Sequence, residues 1–347
     1  MSTKNGFLER IPSEDEDREI GVPIYNILSY PSDPTLEVIF DRLDRGEIAI
    51  SGFQRKWVWS HTQASRLIES FLLGLPVPPI FVFKDPTEKQ FVIDGQQRLG
   101  TIFGFFKGEL PNGSKFYLKG VNPKWEGKYY DTLEEPERIR FRDSVLRVVV
   151  VQQIDPQDNT SIYHIFERLN TGGTSLNDQE VRNCVYHGPF NDFLVELNKY
   201  KKWRLIIGKQ NLDQRMRDIE LLIRFFSLHE NLALYSKPMK QFLNDFMAKH
   251  QKDKAVDSFR ILFCKTVDRV YKALGERPFH VKRGLNVAAF DSIMIAFAKP
   301  GIIPKDITDR FLKLKQNPSY NDAISSNTTD NEIVKRRIQI AQEILFK

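Results

Sequence analysis

Five consecutive residues, Asp94-Gly95-Gln96-Gln97-Arg98, have the side chains needed to bind a phosphate group. The apolar residues before them predict a strand and those after them predict one face of a helix, so the run lies at a strand-to-helix turn. A helix N-terminus offers free N–H groups, glycine lets the backbone approach an anion, and arginine grips phosphate through a planar fork. The alternative is a polar corner with one structural arginine.

Each side chain of this run has a chemical role open to it. Asp94 could orient Arg98, bind a ribose hydroxyl or hold Mg²⁺ through water. Gln96 and Gln97 can donate to phosphate or to base edges without adding charge, and either could position a water molecule. The phosphate-loop pattern G-x-x-x-x-G-K-[ST] occurs nowhere in the sequence, so a nucleotide would be held without that loop.

A second stretch, Phe166 to Leu176, predicts the end of one helix, a Gly172-Gly173 turn and the start of another helix. Glu180 and Arg182 follow within one helical turn. Glu180 could serve as a metal ligand or as a base that polarises water, or it could pair with Arg182 or Arg168 on a solvated face. Taken alone, this stretch favours an ordinary corner between two capped helices.

A third stretch, Phe53-Gln54-Arg55-Lys56-Trp57-Val58-Trp59, interleaves aromatic and basic residues. Aromatic rings can stack on bases while cations hold the nucleic-acid backbone. Two core tryptophans with exposed cations between them are the favoured interpretation of this stretch when it is considered by itself.

The three stretches together resemble a known family. Their order, F-Q-R-x-x-V-W, then I-D-G-Q-Q-R-L, then F-x-R-L-N-T-G-G-x-x-L-x-x-x-E-x-R-N, spans about residues 20–190. It resembles the N-terminal domain family of GmrSD-type, modification-dependent restriction enzymes, a distant relative of the ParB and sulfiredoxin-like nucleotide-binding fold. The resemblance implies binding of a nucleoside triphosphate with Mg²⁺, and hydrolysis that controls DNA cleavage by a separate HNH nuclease domain.

Matching the motifs residue by residue implies a set of site residues. The implied catalytic residues are Asp94, Gln97 and Glu180, with Asp94 also the implied metal ligand. The implied nucleotide-binding residues are Arg55, Gly95, Gln96, Arg98, Asn170, Gly172, Gly173 and Arg182. In the relatives, a strand–turn–helix with a G-x-x-R-like element holds the nucleotide phosphates.

The chain is predicted to be α+β, with a ParB/sulfiredoxin-like small mixed sheet and helices followed by an all-helical C-terminal region. Residues 1–20 form a polar N-terminal arm, 21–155 the nucleotide-binding domain, and 156–347 a helical domain whose residues 156–187 pack on the nucleotide site.

Periodicity predicts the individual elements. A hairpin is expected from Ile80–Phe83 and Phe91–Ile93, a buried strand at Val145–Val151, and peripheral strands and loops over residues 107–140. Thr35 and Ser60 are expected to cap helices, and Gly74 to end one. Later helices are predicted at 190–200, 213–229, 238–250, 255–274, 287–298, 305–315 and 331–346.

Composition narrows the class of protein. The 347 residues carry a net charge of +6, which permits an anionic partner such as a nucleotide or DNA. The two cysteines, Cys184 and Cys264, form no C-x-x-C pair, so a reducing, cytoplasmic setting is expected. Cys184 is expected inside a packed helix, which disfavours sulfiredoxin-like redox chemistry. No apolar run approaches the roughly 20 residues of a membrane span.

These observations support two hypotheses of different classes. The first is a nucleotide-binding, NTP-hydrolysing regulatory protein of a prokaryotic restriction system that acts with DNA or a partner nuclease. None of the six histidines lies in an H-N-H-like cluster, so nuclease activity is expected to need a separate subunit. The second is a DNA-binding module without catalysis, for which the basic segment Lys199–Lys209 and the loop His280–Asn286 are candidate surfaces. Taken alone, these two segments favour a solvated helix end and an ordinary surface loop.

Overall fold

The structure is a computed structural model of the chain. It describes residues 8, 26–49, 57–85, 87–155, 165, 177–213, 215–281 and 284–347. The chain forms two compact units, Pro23–Val185 and Tyr186–Lys347. The first unit is mixed α+β and the second is helical, which confirms the predicted fold class.

The first unit contains a five-stranded mixed sheet with the strand order β1-β5-β3-β4-β2. β1 pairs antiparallel with β5 and β3 pairs antiparallel with β4, whereas β3–β5 and β2–β4 are parallel. The hairpin predicted from the two apolar runs is therefore confirmed as β3 and β4. The strands are Asn26–Ser32 (β1), Ile48–Ala49 (β2), Ile80–Lys84 (β3), Gln90–Asp94 (β4) and Val148–Asp155 (β5).

Five helices of the first unit are described, and local sequence signals place most of their ends. Thr35 caps the first helix through Val38 N, and Ser60 forms a capping box with Gln63 at the start of the second, as predicted. Gly74 ends that helix in the left-handed conformation. The helices are Leu36–Asp44 (α1), His61–Leu73 (α2), Gln96–Lys107 (α3), Glu135–Asp143 (α4) and Asp178–Val185 (α5).

The peripheral strands predicted over residues 107–140 are wrong. That region, all of which is described, contains loops, a 3₁₀ turn at Tyr130–Thr132 and the start of α4. α4 begins with a capping box in which Glu137 accepts from the Glu134 N–H. Its Phe141 is fully buried against the Phe71 and Phe105 rings, so a tertiary contact stabilises a helix whose sequence is mostly charged.

The strand predicted at Val145–Val151 begins three residues later, at Val148, and lies inside the sheet between β1 and β3. Its alternate residues are buried with α2 and α3 in one apolar core. Because β3 and β4 are also buried on alternate positions, the core holds the ends of both hairpin strands in place. The site described below lies where β4 ends.

The second unit is a helical bundle, as predicted. All seven of the later predicted helices are confirmed to within a few residues, and two short helices, α7 and α13, were not predicted. The helices are Pro189–Leu197 (α6), Lys201–Ile206 (α7), Arg217–Asn231 (α8), Met239–His250 (α9), Asp257–Leu274 (α10), Val287–Ala298 (α11), Ile307–Gln316 (α12), Pro318–Ala323 (α13) and Asn331–Phe346 (α14).

Its centre is α11, in which Val287 to Phe297 are buried throughout. Asp291 of this helix accepts from Arg224 and Arg337, both nearly inaccessible to solvent. Two arginines on one carboxylate therefore join α8, α11 and α14 inside the bundle.

Across the described parts of the chain, no helix is long and apolar enough to cross a membrane.

Candidate functional site

Gly95 forms the corner between β4 and α3. The register of the hairpin pairs Phe81 with Asp94, so the start of β3 lies beside the end of β4. Gly95 has φ of 101° and ψ of 11°, and a Cβ atom at this position would overlap the Ile80 side chain. Both the backbone conformation and the space therefore require glycine here.

Arg98 folds back over this corner. Its Nη2 donates to Asp94 Oδ2 at 2.7 Å and to the Pro79 carbonyl oxygen at 3.1 Å. The Arg98 side chain is 17% exposed and that of Asp94 is 44% exposed. Arg98 Nε is buried without an acceptor among the described residues, so the guanidinium is only partly satisfied by this part of the protein.

The first turn of α3 has the properties of an anion site. Gly95 is its N-cap residue and has no side-chain oxygen to accept from the first N–H groups, and the helical ladder begins with Leu99 N donating to Gly95 O at 2.9 Å. The positive end of the helix dipole and the Arg98 guanidinium lie on the same turn. A phosphate oxygen at this turn would meet backbone N–H groups and a cation together.

Gln97 contacts the third sequence motif. Its Oε1 accepts from Val58 N and from Trp59 N, both at 3.2 Å. Its carbonyl oxygen accepts from Thr101 Oγ1 at 2.7 Å. Gln96, one residue earlier, is half-buried at the first position of the helix. The side-chain oxygen of Gln97 is therefore already bonded to backbone.

Trp57 and Trp59 are partly buried and pack against the apolar core of the first unit. Their ring centroids are 6.3 Å apart. Ring atoms of Trp57 lie 3.4 Å from where a Cβ of Gly100 would be. The predicted contact of these two tryptophans with the core is present, whereas Arg55 and Lys56 lie outside the described residues.

Glu180 and Arg182 lie inside the protein, each 1% exposed. Glu180 Oε2 accepts from Asn177 N at 2.7 Å, and Asn177 Oδ1 accepts from Glu180 N at 2.8 Å. This reciprocal pair is a capping box that begins α5. The two residues do not lie on the solvated face considered from the sequence. Asn170, Gly172 and Gly173 lie outside the described residues, so their assignment to the site stays a prediction.

The described residues offer few ligands for a metal ion at this corner. Within the described ranges, no group of three or more His, Cys, Asp or Glu side chains could hold a metal. Mg²⁺ commonly binds one or two carboxylates together with substrate phosphates and waters. Asp94, which is partly exposed beside the start of α3, fits that mode as a single carboxylate ligand.

Three partners of the site were not predicted from the sequence. The Pro79 carbonyl oxygen accepts from Arg98, and the N–H groups of Val58 and Trp59 donate to Gln97. All three are backbone groups, which carry no side-chain signal. The hairpin between residues 80 and 93 was the one available clue, because it places Pro79 next to Asp94.

Comparison with protein-family models finds a match that covers most of the first unit. Residues 36–187 match the model of the GmrSD restriction endonuclease, N-terminal domain. The match includes the Asp94–Arg98 corner, the Trp57–Trp59 stretch and α5. A search of curated proteins finds no match to the chain.

Proposed function

Because the chain carries a GmrSD-type N-terminal domain, we propose that it is a nucleotide-binding, NTP-hydrolysing regulatory component of a prokaryotic restriction system. The observation that carries this proposal is the Asp94–Arg98 corner. It combines a helix start without a side-chain cap, a glycine that brings the backbone close, a guanidinium with an unsatisfied Nε and a carboxylate that reaches solvent.

The phosphates of the nucleotide would bind at the first turn of α3. Arg98 would hold phosphate oxygens. The backbone N–H groups that follow Gly95 would donate further hydrogen bonds to the phosphate at the positive end of the helix dipole. On the resemblance alone, Arg55, Asn170, Gly172 and Gly173 are also proposed for the site. Gln96 would position water or read the base.

Mg²⁺ would bind Asp94 and the phosphates. When bound, it neutralises phosphate charge and polarises the phosphoryl oxygen. Asp94 has a second task, since its carboxylate also orients Arg98. Glu180 and Arg182 are proposed as the base and a further phosphate contact; both are buried beside the capping box of α5.

Titration calorimetry of ATP, GTP and CTP with Mg²⁺ tests this proposal. The wild-type protein should bind at least one of the three, and Arg98→Ala should lose that binding. Arg147→Ala is the matched control, because Arg147 belongs to the same unit but forms an exposed pair with Asp33 between β1 and β5. Absence of binding of every nucleotide by the wild type would overturn the proposal.

A second candidate function is DNA binding by the helical unit. The Arg277 side chain lies across Gly208, with its Nε 3.0 Å from where a Cβ of that glycine would be. Burial lowers the pKa of His280, and the positive charges of Arg277 and Lys315 lower it further. Neither Arg277 nor Lys315 forms an ion pair with another described residue. Both positive charges act on His280, so positive charge accumulates near that residue.

Gel-shift measurements over a range of salt concentrations test DNA binding. Phosphate contacts predict affinity that falls steeply as salt rises. The double variant Arg277→Gln/Lys315→Gln should reduce both the affinity and its salt dependence, whereas Lys237→Gln, which removes a cation already paired with Asp330, should not. Failure to retain DNA at the lowest salt would rule out this function.

A further inference from the structure

We infer that Gln97 is a positioning residue that fastens the V-W end of the F-Q-R-x-x-V-W motif to the first turn of α3. The inference rests on the proposed function for its ligand, a nucleoside triphosphate at the Asp94–Arg98 corner. It changes the role of Gln97, which the motif alone assigns to catalysis, and it explains why the two motifs occur together.

The hydrogen bonds of Gln97 carry this inference. One amide oxygen accepts from two consecutive N–H groups, Val58 N and Trp59 N, across 39 and 38 residues of sequence. A carbonyl-type oxygen has two lone pairs, so these bonds use its full acceptor capacity. An oxygen engaged in this way cannot also accept a proton or a hydrogen bond from an attacking water.

The stretch from Trp57 to Ser60 is held at neighbouring points as well. Trp57 packs over Gly100, one turn further along α3. Ser60 caps α2, and its N–H donates to Gln63 Oε1 at 2.8 Å. Gln97 therefore joins two already ordered segments, and any shift of the first turn of α3 acts directly on the backbone at Val58 and Trp59.

The choice of glutamine follows from the charge of the ligand. A glutamate here would accept the same two hydrogen bonds but would place a second carboxylate, after Asp94, beside the bound phosphates. An amide fastens the backbone without repelling an anion. Gln97 is therefore the neutral acceptor, and Arg98 and the start of α3 bind the phosphates.

Amide hydrogen exchange tests the fastening without any nucleotide. Gln97→Leu should speed the exchange of the Val58 and Trp59 amides by about fivefold to tenfold, the effect of losing an ordinary hydrogen bond. Gln97→Glu keeps the acceptor and should restore slow exchange. Gln63→Leu is the matched control, since it removes another glutamine that accepts from a backbone N–H nearby and should leave both amides unchanged. Unchanged exchange in Gln97→Leu would overturn the inference.

Nucleotide measurements then separate positioning from catalysis. In Gln97→Leu, the dissociation constant should rise by about tenfold, while the single-turnover hydrolysis rate of bound nucleotide should stay within about threefold of the wild type, as expected of a residue that does not meet the reacting atoms. A large fall in that rate with unchanged affinity would overturn the inference and make Gln97 catalytic. If the wild type binds no nucleotide, the proposed function fails, and hydrogen exchange alone decides whether Gln97 fastens the two motifs.

Discussion

Arg98 Nη2 lies 2.7 Å from Asp94 Oδ2, across the Gly95 corner between β4 and α3. The pair leaves the corner electrically neutral, so an incoming phosphate must compete with Asp94 for the guanidinium. A cation that binds Asp94 would release Arg98 for the phosphate. The pair therefore supplies a physical reason why the proposed nucleotide binding would depend on Mg²⁺.

Asp94→Asn should test both proposed effects of Asp94, its competition with phosphate for Arg98 and its binding of Mg²⁺. The substitution keeps the shape of the side chain and removes the competing charge, so tripolyphosphate without metal should bind severalfold more tightly; the gain is limited because Asp94 is partly exposed. The dependence of NTP affinity on Mg²⁺ should disappear. Calorimetry with Mg²⁺ and with EDTA measures both. An unchanged Mg²⁺ dependence would show that Asp94 is not a metal ligand.

Gly95→Ala should strongly destabilise the first unit. A residue with a side chain is strained at φ of 101°, and the new methyl group would overlap Ile80. Strain and overpacking together predict a loss of about 2 to 5 kcal/mol in the free energy of unfolding. Gly108→Ala is the control, since Gly108 also has positive φ but no atom within 4 Å of its Cβ position; it should cost about 1 kcal/mol. Urea denaturation compares them, and equal losses would contradict the close contact.

Asp291→Asn should destabilise the helical unit by about 3 to 5 kcal/mol, because it leaves two buried arginines without their counter-charge. Both Arg224 and Arg337 donate to this carboxylate. Asp306→Asn removes an exposed partner of Arg310 and should change stability little. Urea denaturation followed by circular dichroism measures the difference, and a similar small effect of both substitutions would show that the buried cluster is not strongly coupled.

Acid should destabilise the first unit through Glu137. Burial would raise the pKa of this carboxyl, but hydrogen bonds from Lys124, Trp125 and the Glu134 N–H outweigh it and lower the pKa from 4.5 to about 2. Because the folded pKa is depressed, the stabilisation is present above pH 4.5 and is lost as the pH falls toward 2.

Glu137→Gln should therefore be less stable than the wild type at neutral pH, and the gap should narrow below pH 4.5. Urea midpoints measured from pH 7 to pH 2.5 test this. Trp125 fluorescence reports on the same site, since its Nε1 donates to Glu137 at 2.8 Å. A constant gap across that range would show that Glu137 does not account for the acid sensitivity.

Local signals in the sequence determined much of the fold. The caps at Thr35 and Ser60, the left-handed Gly74 and the start of α3 after Gly95 all depend on residues within one turn of each other. Helix periodicity likewise predicted the long helices of the second unit. The α4 helix was missed because its residues are largely charged, and the contact of Phe141 with the core decides its structure.

The sequence by itself also predicted which residues belong to the candidate site, because three motifs in a fixed order resemble a family. Only the tertiary structure decided what some of those residues do. Gln97 contacts backbone 39 residues away, and Arg98 contacts a carbonyl 19 residues away. The partners in both contacts are backbone groups placed by sheet register and helix packing, and such groups are the same at every position in a sequence.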